Sequence, residues 1–199
     1  SVALFNLGYI YYVGKFVSRD LDKAKKYFTR ASYQNHPKAM YAIGMMHFSD
    51  ITNTEYIREG IKYLTKSCFN GFKQACFSVG FLFHEGKYMK KNIQRSIHFY
   101  KEASSFNNQF AKNNLGIIYK NGFNDEIKQN LGLACAYFEE AIKQKNDKLS
   151  KYNLAHIYLY YEIANQSIDK SIDLLIQSSL EGFDQSLTLL CISLIKKYG

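Results

Sequence analysis

The chain holds one proline in 199 residues and no tryptophan. Proline punctuates strands and loops far more often than helix interiors, so its near absence suits a nearly all-helical chain. Arginine is scarce too: of 26 basic residues only Arg19, Arg30, Arg58 and Arg95 carry a guanidinium. That fits a lysine-solvated surface better than bidentate reading of phosphates. The four cysteines, Cys68, Cys76, Cys135 and Cys191, form no C-x-x-C pair and are too few for a disulfide framework. No apolar run approaches the ~18 residues that a membrane-spanning helix needs. No signal-peptide pattern opens the chain, which starts at Ser1 rather than Met, and the expectation is a processed form or an excerpt of a longer protein.

Hydrophobic residues make up 47% and charged residues 22%, a globular balance that excludes disorder, collagen and coiled coil. Aromatics reach 16%, all of them Tyr and Phe, so something large and apolar is packed or presented. The net charge of +9 is unevenly spread. Residues 1–110 carry 16 Lys/Arg against 7 Asp/Glu, whereas residues 111–199 carry 10 of each. The basic first half reads either as a solvated face or as a surface favouring acidic partners.

A repeat organises the sequence. Small residues recur at Ala3, Ala39, Ala75, Ala111, Ser150 and Ser186, spaced 36, 36, 36, 39 and 36 apart. Five places on comes a second small residue: Gly8, Gly44, Gly80, Gly116, Ala155 and Cys191. A mid-helix glycine costs about 1 kcal/mol relative to alanine, so its recurrence in one column signals a close helix approach. A first helix is expected over approximately 3–13, 39–49, 75–85, 111–121, 150–162 and 186–198. It stops at Gly14, Asp50, Gly86, Gly122 and Tyr161.

A second helix begins behind Asp20, Asn92, Asn130 and Ser167, all good N-cap types; Tyr56 breaks the column, with Thr54 as the nearby substitute. Bulky pairs (Tyr27-Phe28, Tyr63-Leu64, Phe99-Tyr100, Tyr137-Phe138, Leu174-Leu175) lie between two small-residue columns, a pattern for antiparallel helix packing. The second helix ends at Asn35, Gly71, Asn107, Asn146 and Gly182, the residue types that enter the left-handed conformation most cheaply. The expected fold is all-α: a right-handed α-solenoid of about five helix-turn-helix repeats (3–38, 39–74, 75–110, 111–149, 150–185) and a closing helix over 186–198, all one repeat domain.

Repeat 1 carries Ala3, Leu7, Gly8, Tyr11, Gly14, Asp20, Lys23, Ala24, Tyr27, Phe28 and Ala31. This pattern resembles the Sel-one-like repeat (SLR), related to the tetratricopeptide repeat but with a longer period and a glycine ending the first helix. Repeat 2 departs with His47 for the tyrosine and Asp50 for the turn glycine, and repeat 5 with Ala155 and Tyr161. The resemblance implies binding rather than chemistry: scaffolds that hold protein partners, often as adaptor segments of larger proteins. A cysteine-rich bacterial branch of the family places disulfides at the spacing and register of Cys68 and Cys76. A disulfide there goes with an exported or lumenal protein, and two buried free thiols go with the cytosol. Cys135 and Cys191 read as packing residues.

Residues two, six and nine places after each anchor share one helix face. In repeats 1 to 3 they are Phe5, Tyr9, Tyr12; Tyr41, Met45, Phe48; Phe77, Phe81, His84. By analogy with related solenoids they would line a concave aromatic groove; the competing reading is packing between repeats, strongest for the first two columns. The family usually places a polar residue in the third column. This makes Tyr12, Phe48 and His84 the better groove candidates, continuing to Lys120. Ser167-x-x-Lys170 and Ser193-x-x-Lys196 lack the companion motifs of a serine–lysine enzyme, and the five histidines form no ligand pair. No catalytic residue, metal or cofactor is expected. Asn165-Gln166-Ser167 is a sequon without a compartment to give it meaning. The expected function is a protein-interaction scaffold with a protein or peptide partner, acidic or mixed. The alternatives are a nucleic-acid-binding solenoid, disfavoured by the scarcity of arginine, and a structural arm of a larger enzyme.

Overall fold

The computed structural model describes residues 1–49, 53–124, 126–143, 147–161 and 168–199. Asp50, Asn146, Asn165 and Ser167 lie outside the described residues. Two units divide the chain, Ser1–Phe106 and Asn107–Gly199.

The first unit holds three antiparallel helix pairs: α1 (Val2–Val13) with α2 (Leu21–Ser32), α3 (Pro37–Met46) with α4 (Thr54–Phe69), and α5 (Lys73–Glu85) with α6 (Ile93–Ser105). A short 3-10 turn over His47–Ser49 follows α3. In the second unit α7 (Gln109–Asn121) pairs with α8 (Leu131–Ile142), α9 (Lys148–Tyr160) with α10 (Ile168–Leu180), and α11 (Gln185–Tyr198) packs against α10. The described residues contain no strand, only an isolated bridge between Phe123 and Ile127. That bridge sits in the α7–α8 connection, where repeat 4 carries extra residues.

Local chemistry sets the helix ends. Asp20, Asn92 and Asn130 each accept a bond from the backbone N–H three residues on, at 2.9, 2.8 and 2.9 Å. Each of these capping residues also donates its own N–H back to the first helix, to the carbonyls of Tyr11, Phe83 and Tyr119 at 3.0, 2.9 and 2.8 Å. One residue thus starts a helix and closes the turn before it. In repeat 2 the cap is Asn53, whose side chain accepts from Glu55 and Tyr56, rather than Thr54. The single proline, Pro37, occupies the first turn of α3, where its missing N–H is one of the helix's orphans anyway. Its cap is His36, whose Nδ1 accepts from Ala39 N–H at 3.2 Å.

The second helices stop as their residue types dictate. Asn35, Gly71, Asn107 and Gly182 have φ of 56°, 89°, 64° and 80°. After three of these turns the next N–H reaches back five residues, from His36 to Ala31, Phe72 to Ser67 and Phe183 to Ser178. This is a Schellman closure that satisfies orphan carbonyls.

The glycine column marks where helices within a pair cross. A Cβ on Gly8, Gly44, Gly80 or Gly116 would lie 2.5–2.8 Å from Phe28, Leu64, Tyr100 or Phe138. What presses on the glycine is therefore the second member of the bulky pair. The first member stacks instead on the helix facing it: Tyr11 on Tyr27, His47 on Tyr63, Phe83 on Phe99 and Tyr119 on Tyr137, with centroids 5.8–5.9 Å apart and planes within 15°. His47 departs from the repeat pattern yet keeps the stack. The small column near the end of each second helix is buried, and where it holds serine the hydroxyl is used: Ser67 donates to the Pro37 carbonyl at 2.7 Å and Ser178 to Lys148 at 2.8 Å.

Cys135 is buried, as expected of a packing residue, and burial pushes its thiol up to about 11. Cys191 is exposed, contrary to expectation. It stands in the small-residue column, but α11 has no following helix among the described residues to cover that side.

Candidate functional site

The three groove columns behave differently in the first unit. Residues of the first column are tied into the fold. Phe5 packs on Phe28 at 5.7 Å and on the capping His36 at 4.8 Å. Tyr41 packs edge-on against Phe72 at 5.1 Å, and Phe77 lies 5.8 Å from Tyr100. Each of Phe5 and Tyr41 thus meets the residue that opens the next pair, so this column joins one repeat to its neighbour. In the second unit Tyr152 does the same with Phe183 at 5.2 Å.

Residues of the second column stand out from the surface. Tyr9, Met45 and Phe81 are 54%, 44% and 45% exposed on α1, α3 and α5. Tyr9 and Phe81 rest on the half-buried rings of Phe5 and Phe77, with centroids 6.3 Å apart in both cases. A large apolar side chain held from behind and open in front is a ready binding anchor, because little side-chain freedom remains to be lost.

The third column, the stronger candidate from sequence, is more engaged than expected. Tyr12 is 41% exposed, but Arg19 lies over its ring at 5.9 Å and bonds to its carbonyl at 3.2 Å. Phe48 packs against Tyr88 at 5.5 Å. His84 is half-buried, faces the Tyr100 hydroxyl at 3.4 Å, and burial holds its imidazole below the usual range. The turns between paired helices fold over this column, and residues that come from elsewhere in the chain were not visible from the column itself. Lys120, in the second unit, is half-buried and its ammonium is lowered by desolvation.

Charge is segregated from the stripe. Helix α1 carries no charged residue, and α3 and α5 contribute only Lys38, Lys73 and Glu85. Most of the basicity of the first unit lies on α2, α4, α6 and the turns before them. Cys68, at the end of α4, and Cys76, in α5, are joined by a disulfide with Cα atoms 4.7 Å apart.

The Ser193-x-x-Lys196 motif is absorbed by the fold. Ser193 is buried and donates to the Leu189 carbonyl at 2.9 Å, while Lys196 donates to Leu159 O at 3.0 Å. No cluster of three metal-ligating side chains occurs among the described residues, and no described helix is long and apolar enough to cross a membrane.

Helix pairs repeated every ~36 residues, crossing at a glycine and stopped by left-handed Asn or Gly, define a repeat protein of the α-solenoid class. The chain belongs to the Sel1 repeat family, whose repeat matches residues 1–36, 37–71, 73–105 and 109–146. The α9–α10 pair keeps the same geometry beyond those ranges: Ala155 packs in a cluster with Leu175, and Ser171 donates to the Ala155 carbonyl at 3.0 Å.

A Sel1 repeat protein from Oxalobacter formigenes is similar in structure, with a TM-score of 0.83 at 21% identity over 94% of this chain and 76% of that one. A protective antigen of uropathogenic Escherichia coli strains, displaying an SLR fold, follows at 0.64 and 21% identity over 98% of this chain and 49% of that one. In sequence, the chain is 26% identical to the chitin synthase regulator SKT5 of Saccharomyces cerevisiae over 154 residues, 71% of this chain. It spans only 21% of that relative's length. Sel1 repeat proteins are in general non-catalytic scaffolds for protein–protein interaction.

Proposed function

We propose that this chain is a non-catalytic adaptor segment that docks a protein or peptide partner on the first-helix face of residues 1–106. The observation that carries this reading is the register of Tyr9, Met45 and Phe81: equivalent positions on α1, α3 and α5, each large, apolar and about half exposed. Rigid aromatic anchors at the centre of an apolar face are the usual source of binding energy at protein interfaces. Phe5 and Phe77 support Tyr9 and Phe81 from behind, and Tyr12, Phe48 and His84 form the shoulder. The yeast relative is a regulator of chitin synthase, which accords with an adaptor role here.

The test is a pull-down from native lysate with the wild-type chain and with Tyr9→Ala/Met45→Ala/Phe81→Ala, each with and without nuclease. The reading expects a discrete protein that survives nuclease and is lost with the triple variant at unchanged helicity. Protein recovery that vanishes with nuclease, or that ignores the triple variant, contradicts it.

A further inference from the structure

We propose that the groove between α4 and α6 is a second docking site, one that takes an acidic peptide segment through a buried apolar anchor. Apart from Phe83 of α5, the site is built from helices that the stripe does not use, and it does not depend on the stripe.

The groove encloses about 520 Å³. Its floor is Ile61 of α4, Phe83 of α5 and Phe99 of α6, with Phe83 and Phe99 only 8% and 7% exposed. Phe69, far more exposed, packs 6.2 Å from Phe99 and is available as an apolar lip. A recess of this size and lining suits one or two aliphatic or aromatic side chains.

The rim is cationic. Lys62 and Lys66 stand on the α4 side, Arg95 and His98 on the α6 side, and no lining residue is acidic. Glu59 offsets Lys62 by pairing with it. Arg95 lies over the Phe83 ring at 5.4 Å, which holds its guanidinium beside the floor with its planar fork suited to a carboxylate. Apolar floor and positive rim together describe the occupant: an apolar side chain flanked by Asp or Glu. The surplus positive charge of residues 1–110 would speed its approach.

Peptide chemistry fits better than the other anionic surfaces. A membrane needs several apolar groups that protrude into it; here one ring, Phe69, protrudes, while Phe83 and Phe99 are recessed. Single-stranded nucleic acid needs exposed rings for base stacking, and Phe83 and Phe99 lie nearly buried at the bottom of a recess.

The experiment is selection of a random peptide phage library on the purified chain, with clones rescored on Lys66→Glu/Arg95→Glu and on Tyr9→Ala/Met45→Ala/Phe81→Ala. The expected clones carry an apolar residue flanked by acids, lose about tenfold or more in affinity on the charge-reversed chain, and bind the stripe variant unchanged. Salt weakens them, and amide spectra place them at Ile61, Phe83 and Phe99. Lys66→Gln/Arg95→Gln, scored alongside, gives the same ranking with a smaller loss and keeps the test valid should charge reversal disturb folding. A selection yielding no clone that depends on Lys66 and Arg95 overturns the proposal. So does equal dependence on these residues for phosphatidylserine vesicles or a single-stranded RNA oligonucleotide in place of the peptide. Failure of the stripe variant in the lysate pull-down would bear on the adaptor reading alone.

Discussion

The Cβ that Gly80 lacks would sit 2.7 Å from Cδ1 of Tyr100, closer than real side chains approach. The same relationship ties Gly116 to Phe138, at 2.5 Å from the ring. In repeat 5 the partner is Leu175 and the small residue is Ala155, both fully buried in one cluster. Glycine faces an aromatic ring in repeats 1, 3 and 4 and leucine in repeat 2, and alanine faces leucine in repeat 5, so the spacing of the paired helices is set by the small residue and its partner together.

Gly116→Ala therefore lowers stability despite alanine's better helix propensity. The gain of about 1 kcal/mol from propensity is set against about 1–3 kcal/mol from overpacking. Urea unfolding should show a net loss for Gly116→Ala. It should also show that Tyr100→Leu relieves Gly80→Ala, since the double variant recreates the Ala155–Leu175 pair.

The caps give a second prediction. Asn53→Ala and Asn92→Ala each lose about 1 kcal/mol, because each side chain satisfies first-turn N–H groups. Thr54→Ala, one residue inside α4, stays within about 0.5 kcal/mol. Thermal melts of the three variants separate the two candidate caps directly.

The residues that were legible in the sequence are those whose backbone demands are local. Asn35, Gly71, Asn107 and Gly182 stop helices because left-handed φ selects residue type without reference to anything distant. His36 as a cap, and Asn53 in place of Thr54, were not legible, because a helix can start a residue or two either way until packing fixes it. The groove columns were half legible. Helical spacing placed all three on one face, but the side chains that shield Phe48 and Tyr12 are the Tyr88 ring and the Arg19 guanidinium, in turns that no column predicts. The cationic rim around Phe83 and Phe99 was hidden for the same reason: Lys66 and Arg95 lie on different helices and read, one helix at a time, as an ordinary solvated face.

Acid should weaken the first unit. Burial lowers the imidazoles of His36, His47 and His84 below the usual 6.5, so the unfolded chain binds protons more readily than the folded one. Stability is then fully present above about pH 6.5 and falls as pH drops through the folded values. At His36 protonation also removes the Nδ1 acceptor that caps α3. Melts between neutral and mildly acidic pH should show the fall, and His36→Asn, which keeps a cap, should lessen it while the His47 and His84 contributions remain.

The Cys68–Cys76 link closes a short loop between α4 and α5. Alkylation under denaturing conditions without reductant should modify Cys135 and Cys191 and spare this pair. Reduction should cost about 2–3 kcal/mol by the loop-entropy relation. Modification of all four cysteines would show the pair to be free thiols.

The most direct measurement of the adaptor reading is site-specific photo-crosslinking in the native cell, with p-benzoylphenylalanine placed at Met45, at Phe81 and, as a control, at the highly exposed Tyr33 of the α2 exit. The account predicts one protein adduct shared by Met45 and Phe81 and missing from Tyr33. Adducts at Tyr33 alone, or none at either stripe position, would contradict it.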